Sequence, residues 1–204
     1  MSFRGLPTPL QRVIQDRRLF HYTRPLMYWG TLPRVRAALA LTSRERLLDV
    51  GCGTGVFAPL AHGAYVGIDT SLESLRFAHA QANGAARQFV AMRGDALGLR
   101  PRSFDKALIV NVAHHLDDAE LDTLLGAVGD VVDGPVVLVD LAPDVANPVE
   151  RLLIRYDNGE HMRARAALRT LVARRFAIEH EETFHNTLRI VPQVLFRLAA
   201  RGAR

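Results

Sequence analysis

Eight residue positions in the first 115 have types and spacing suited to chemistry on a nucleotide-like ligand. Gly51, Gly53 and Gly55 alternate directly after a carboxylate, Asp49, and surround the only cysteine, Cys52. Alternate glycines admit positive φ and leave no Cβ to hold a ligand away from the peptide N–H groups, so a nucleotide can lie on the main chain. Asp69 follows eighteen residues after Gly51, at the distance where a carboxylate at a strand end accepts hydrogen bonds from both ribose hydroxyls. His114 and His115 are adjacent, and an imidazole titrating near neutral pH can take a proton from a hydroxyl, an acidic carbon or an amine. No cysteine cluster and no HExxH spacing accompanies the pair, so a metal site is not expected.

Each of these residues stands at the end of an apolar run of strand length. Leu47, Leu48 and Val50 precede the glycines, and AYVGID ends in Asp69. Phe89, Val90 and Met92 precede Gly94, Asp95 and Ala96. Phe104 to Val112 contains ALIV and ends in Asn111, and Val136 to Leu141 forms a fifth run. Between them lie helical stretches: Val56, Phe57, Leu60 and Ala61 after the glycines; Ser71 to about Asn83, with Thr70 and Glu73 at capping-box spacing; and Asp117 to about Val132, where one of the histidines is a candidate cap. Strands alternating with helices imply an open, mostly parallel α/β sheet whose ligand sits beyond the carboxyl ends of the strands.

The remainder frames this core. Thr8 and Pro9 open a first helix, Phe20 to Trp29 is rich in aromatics (Tyr22, Tyr28, Trp29), and another helix follows Pro33 with Val35, Leu39 and Leu41. Asn147 and Pro148 open a helix after the fifth strand. The polar stretch RYDNGEHMR then brings Tyr156 and His161, and a helix around Leu168 to Ala173 follows. Phe176, Ile178, Phe184 and then Leu188 to Phe196 alternate as two strands joined near His185 and Asn186. With 204 residues, 49% of them hydrophobic, one domain is expected: residues 1–43 as a helical cap, 44–142 as the ligand-binding core, and 143–204 as further helices and a β-hairpin. The net charge is +5, yet Lys106 is the only lysine and the arginines are scattered, which argues against a nucleic-acid partner. No apolar run nears the ~20 residues of a membrane span, and the single cysteine and absence of an apolar signal core fit the cytoplasm.

The string DVGCGTG, a second acidic strand end at Asp69, the GDA of residues 94–96 and the HH-Leu ending of the fourth strand together resemble class I S-adenosylmethionine-dependent methyltransferases, in their small-molecule branch. The third position of the dinucleotide fingerprint is Val56 rather than glycine or alanine. The resemblance implies a Rossmann-like seven-stranded, mostly parallel sheet with helices on both faces, an antiparallel last strand and an N-terminal helical cap. It implies that Asp49, Gly51, Cys52, Gly53, Gly55, Asp69, Thr70, Asp95, Ala96 and Asn111 bind S-adenosylmethionine, with S-adenosylhomocysteine as product and Asp49 near the ammonium group. His115 or His114 would serve as base. Tyr22, Tyr28, Trp29, Tyr156 and His161 would face a small acceptor methylated on oxygen or carbon, in a monomer or homodimer. An RNA methyltransferase, a nicotinamide-dependent oxidoreductase and a non-catalytic binding module on the same fold remain open alternatives.

Overall fold

The computed structural model describes residues 28–82, 86–94, 96–141, 161–185 and 192–200. Expectations that fall elsewhere, including the helices at Thr8 and Asn147 and the residues Tyr22, Asp95 and Tyr156, lie outside the described residues.

The apolar runs pair as one seven-stranded sheet. In chain order the elements are α1 (Thr31–Leu39), β1 (Leu47–Val50), a 3-10 turn (Ala58–Leu60), β2 (Tyr65–Asp69), α2 (Leu72–Gln81), β3 (Arg87–Ala91) and β4 (Lys106–Val110). A second 3-10 turn (Ala113–His115), α3 (Asp118–Val131), β5 (Val136–Leu141), α4 (Arg165–Arg175), β6 (Phe176–His185) and β7 (Pro192–Ala200) complete them. The strand order is β3-β2-β1-β4-β5-β7-β6. The first five strands are parallel, and β7 runs antiparallel to both its neighbours. β1, β4 and β5 are buried along their whole length, as expected for central strands covered on both faces.

Side-chain alternation divides the core. Leu48, Val50, Ile109, Leu138 and Phe196 point to the face covered by α3 and α4. Leu47, Tyr65, Leu108, Val110, Val139 and Leu195 point to the face covered by α1, Tyr28 and the first 3-10 turn. Thr31, Val35 and Leu39 form the buried stripe of α1 at the four-residue spacing of one helix face. Pro33 lies inside the first turn of this helix rather than before it, where its missing N–H costs nothing.

Three local expectations are corrected. The segment after the glycines makes one 3-10 turn and no longer helix: Pro59 stands within the turn, and Ala61 is already extended (φ −80°, ψ 122°). Its apolar residues Phe57, Ala58, Leu60 and Ala61 are nevertheless buried. The cap of α2 is Ser71, whose Oγ accepts from Ser74 N at 3.3 Å, one residue after the expected Thr70. Finally, Asp117 caps α3 in a capping box with Glu120, so neither histidine performs that role. No helix among the described residues is long and apolar enough to cross a membrane.

Candidate active site

The carboxyl ends of β1, β2 and β4 open onto a cleft of about 490 Å³ lined by Gly51, Gly53, Asp69, Thr70, Asn111 and His115, among others. Gly51, Gly53 and Gly55 all have positive φ (72°, 54° and 74°), the conformation that glycine adopts without steric cost. A Cβ on Gly51 would come within 2.4 Å of Val112 Cγ2, so a side chain there would fill the cleft floor. Asp69 closes the loop from the opposite strand. Its Oδ2 accepts from Gly53 N and its Oδ1 from Ser71 N, each at 2.8 Å. The carboxylate thus faces the glycine loop across the cleft, and each oxygen keeps a second lone pair for a ligand hydroxyl.

Asp49 is placed differently. It sits on β1 with Leu47, on the α1 face of the sheet, and is 1% exposed. Its Oδ2 accepts from Tyr65 Oη at 2.6 Å. Tyr65 starts β2 level with Leu47, and its ring passes over Gly67, where a Cβ would meet Tyr65 Cε1 at 3.0 Å and Cys52 Sγ at 2.8 Å. Burial, reinforced by the Asp49 carboxylate, pushes the Tyr65 phenol well above its ordinary value, so this hydroxyl remains a donor. Asp49 and the buried Cys52 therefore support the glycine loop from behind and do not line the cleft. Gly55 packs on Phe89 and Ala78. Ala96 lies outside the cleft, its N–H directed to Arg93 O.

At the other end of the cleft, Asn111 takes a left-handed φ of 55°, which asparagine tolerates better than most residues. Strand alternation from Ile109 would send its side chain toward α3. The turn sends it to the opposite face, where Nδ2 donates to Tyr28 Oη at 3.0 Å and Oδ1 accepts from Gln193 Nε2 at 3.1 Å. Gln193 in turn accepts from Thr31 Oγ1 at 2.7 Å. Tyr28 is buried, edge-on to Phe57, and Trp29 is 70% exposed. Tyr28 and Asn111 are therefore brought together, and Trp29 stands apart.

The two histidines separate into two environments. His115 lines the cleft. His114 is 4% exposed and lies behind it, with Nδ1 2.5 Å from Asp140 Oδ1. An ionised carboxylate only accepts, so the imidazole N–H is the donor in this contact. Asp140 Oδ2 also accepts from His114 N at 3.2 Å, and Oδ1 from Leu141 N at 2.7 Å. The ring centroids of His114 and His115 are 4.1 Å apart. His161 reaches this turn through its backbone, donating its N–H to His114 O at 3.1 Å. Sequence reasoning missed Asp140 and Gln193, and placed Arg163 in the polar stretch RYDNGEHMR without a role of its own. The one available signal for Asp140 was a carboxylate inside the apolar run VVLVDL. Gln193 carries none.

Residues 47–135 match a family model described as a methyltransferase domain. A ubiquinone biosynthesis O-methyltransferase of Sinorhizobium medicae is 32% identical over 117 residues, covering 55% of this chain and 46% of that protein. One from Rhizobium etli is 35% identical over 81 residues, covering 37% and 33%. The chain thus spans less than half the length of these curated relatives. Among solved structures, an S-adenosylmethionine dependent methyltransferase from Mesorhizobium loti superposes with a TM-score of 0.65 at 24% identity, over 82% of this chain and 96% of the other. The magnesium protoporphyrin IX methyltransferase of Synechocystis, solved with S-adenosylhomocysteine bound, gives 0.70 at 16% identity over 95% and 99%. These two likenesses are likenesses of fold.

Proposed function

We propose that this chain, whose residues 47–135 match a methyltransferase domain, is a class I methyltransferase that transfers a methyl group from S-adenosylmethionine to an oxygen atom of a small-molecule acceptor. The observation that carries the cofactor assignment is the Asp69 carboxylate held against Gly53 N at 2.8 Å. It joins a side-chain-free peptide cradle to a hydroxyl-binding carboxylate in one cleft, the pairing that a nucleoside needs. The reading of oxygen over carbon as the acceptor atom draws on the named activity of the curated relatives.

When bound, S-adenosylmethionine supplies a methyl group already activated on a sulfonium, so the chain's residues need only supply position, dryness and a base. Gly51 and Gly53 offer room where any side chain would project, their own N–H groups being taken by Ile68 O and the Asp69 carboxylate; Asp69 takes the ribose hydroxyls, and Thr70 borders the same end of the cleft. Asp95 near the base is carried by the family resemblance alone. His115, in the cleft, would accept the proton of an acceptor hydroxyl as that oxygen takes the methyl group, for which S-adenosylmethionine would be the donor and S-adenosylhomocysteine the product. Asn111, in the cleft and held from behind by Tyr28, borders the acceptor side, and His114 positions its neighbour rather than meeting the acceptor. Trp29, Tyr22, Tyr156 and His161 belong to the acceptor side on the resemblance alone.

The test is acceptor-dependent formation of S-adenosylhomocysteine from methyl-labelled S-adenosylmethionine across a panel of phenols, catechols and hydroquinones. Label recovered as a methyl ether supports the proposal. Label recovered on carbon, or only in added RNA, contradicts the oxygen or the small-molecule part respectively.

A further inference from the structure

We infer that Arg163 is a positioning residue for the acceptor side of the cleft, its guanidinium holding the turn that presents His115. The inference rests on the methyltransferase reading above and deepens it. Arg163 does not line the cleft, and its side chain is only 10% exposed. Its Nη1 donates to Ala113 O at 2.8 Å and to His161 O at 3.0 Å, its Nη2 to Leu116 O at 2.6 Å, and its Nε to Asp118 Oδ1 at 2.7 Å. Ala113 opens the 3-10 turn and Leu116 closes it, so one planar group grips the histidine-bearing turn at both ends.

The opposite side of the same turn is held by Asp140 through His114 N and Nδ1. A short 3-10 turn has weak internal hydrogen bonding, and here the external contacts from β5 and from the segment leading into α4 fix it. The charged and titratable groups facing the turn are Asp140 from β5, Asp117, Asp118 and Glu120 at the start of α3, and His161 and Arg163 ahead of α4. Lysine cannot replace this arrangement, since an ammonium point charge lacks the fixed fork that reaches three carbonyls and a carboxylate at once.

The experiment uses the full chain saturated with S-adenosylhomocysteine and compares the native protein with R163K and D118N. It reads the ring 1H–15N signals and titration midpoint of His115, with the exposed His62 as internal reference, alongside S-adenosylhomocysteine affinity by calorimetry and thermal midpoint. In R163K the His115 signals and midpoint move while His62 and ligand affinity stay at native values. D118N, which keeps the fork to all three carbonyls, gives a smaller shift of the same sign and decides the matter if R163K does not fold. With an acceptor from the panel, R163K lowers kcat by about tenfold or more and leaves the cofactor KM in place. Unchanged His115 signals in R163K, even with a lowered thermal midpoint, would make Arg163 merely structural and overturn the inference. Failure of the native protein to bind S-adenosylhomocysteine would instead defeat the methyltransferase reading, and the His115 comparison then proceeds on the ligand-free chain.

Discussion

Asp69 accepts from Gly53 N with one carboxylate oxygen and from Ser71 N with the other, so it shapes the glycine loop besides the ribose role proposed for it. Asp69→Ala removes both contacts and, on the proposed function, the ribose partner. S-adenosylhomocysteine affinity measured by calorimetry falls by about 10- to 100-fold, the worth of one or two hydrogen bonds to a charged group. His115→Ala leaves that affinity unchanged and lowers kcat by about 10²- to 10⁴-fold, the usual contribution of a general base; a variant with full turnover would remove His115 from the chemistry. Gly51→Ala meets both a φ of 72° and a Cβ placed 2.4 Å from Val112 Cγ2. It costs about 1–3 kcal/mol in urea unfolding and weakens cofactor binding as well. At this scale Asp49, Asp69 and Asp140 illustrate what the sequence tells and what it hides. All three end or nearly end apolar strands, but Asp49 and Asp140 point to opposite faces of the sheet. One is taken up by Tyr65 and the other by His114. The partner of a buried carboxylate comes from a distant strand or turn, and spacing along one strand does not reveal it.

Element existence was readable because strands and helices here carry clean apolar periods. β5 spans Val136–Leu141 as its apolar run does, and α3 differs from the expected helix by its end residues alone. The crossover after the glycines was misread because Val56, Phe57, Leu60 and Ala61 satisfy a helical period, yet Pro59 and the early return to extended backbone leave room for a single 3-10 turn. The outer β6 was readable as a strand, but its fastening was not. Arg34 binds Glu182, Arg165 and Arg169 both bind Glu181, and Arg197 binds Glu179, so α1, α4 and β7 each hold it by an arginine. Elsewhere, the Arg46 side chain holds the Asp105 carboxyl below its ordinary 3.8, the Glu120 backbone amide does so for Asp117, and the Arg175 side chain for Asp122. A carboxyl with a depressed folded pKa contributes stability above its unfolded value and loses it as pH falls through the folded one. Urea midpoints should therefore be flat at neutral pH and decline progressively below about pH 4. A midpoint that rises on acidification would contradict these pairs.

For the molecule as a whole, the cleft draws its residues from β1, β2, the turn after β4 and the start of α3, so a ligand there joins elements that unfolding separates. A ligand bound to the native state alone stabilises it by about 2.7 kcal/mol at one hundred times its dissociation constant. The thermal midpoint should accordingly rise with S-adenosylhomocysteine concentration, and Asp69→Ala should blunt that rise. The measurement that bears most directly on the central claim is calorimetric titration of the full chain with S-adenosylmethionine, S-adenosylhomocysteine and NAD in parallel. Micromolar binding of the first two and none of NAD is the predicted result. Binding of NAD alone, or of none of the three, would contradict it.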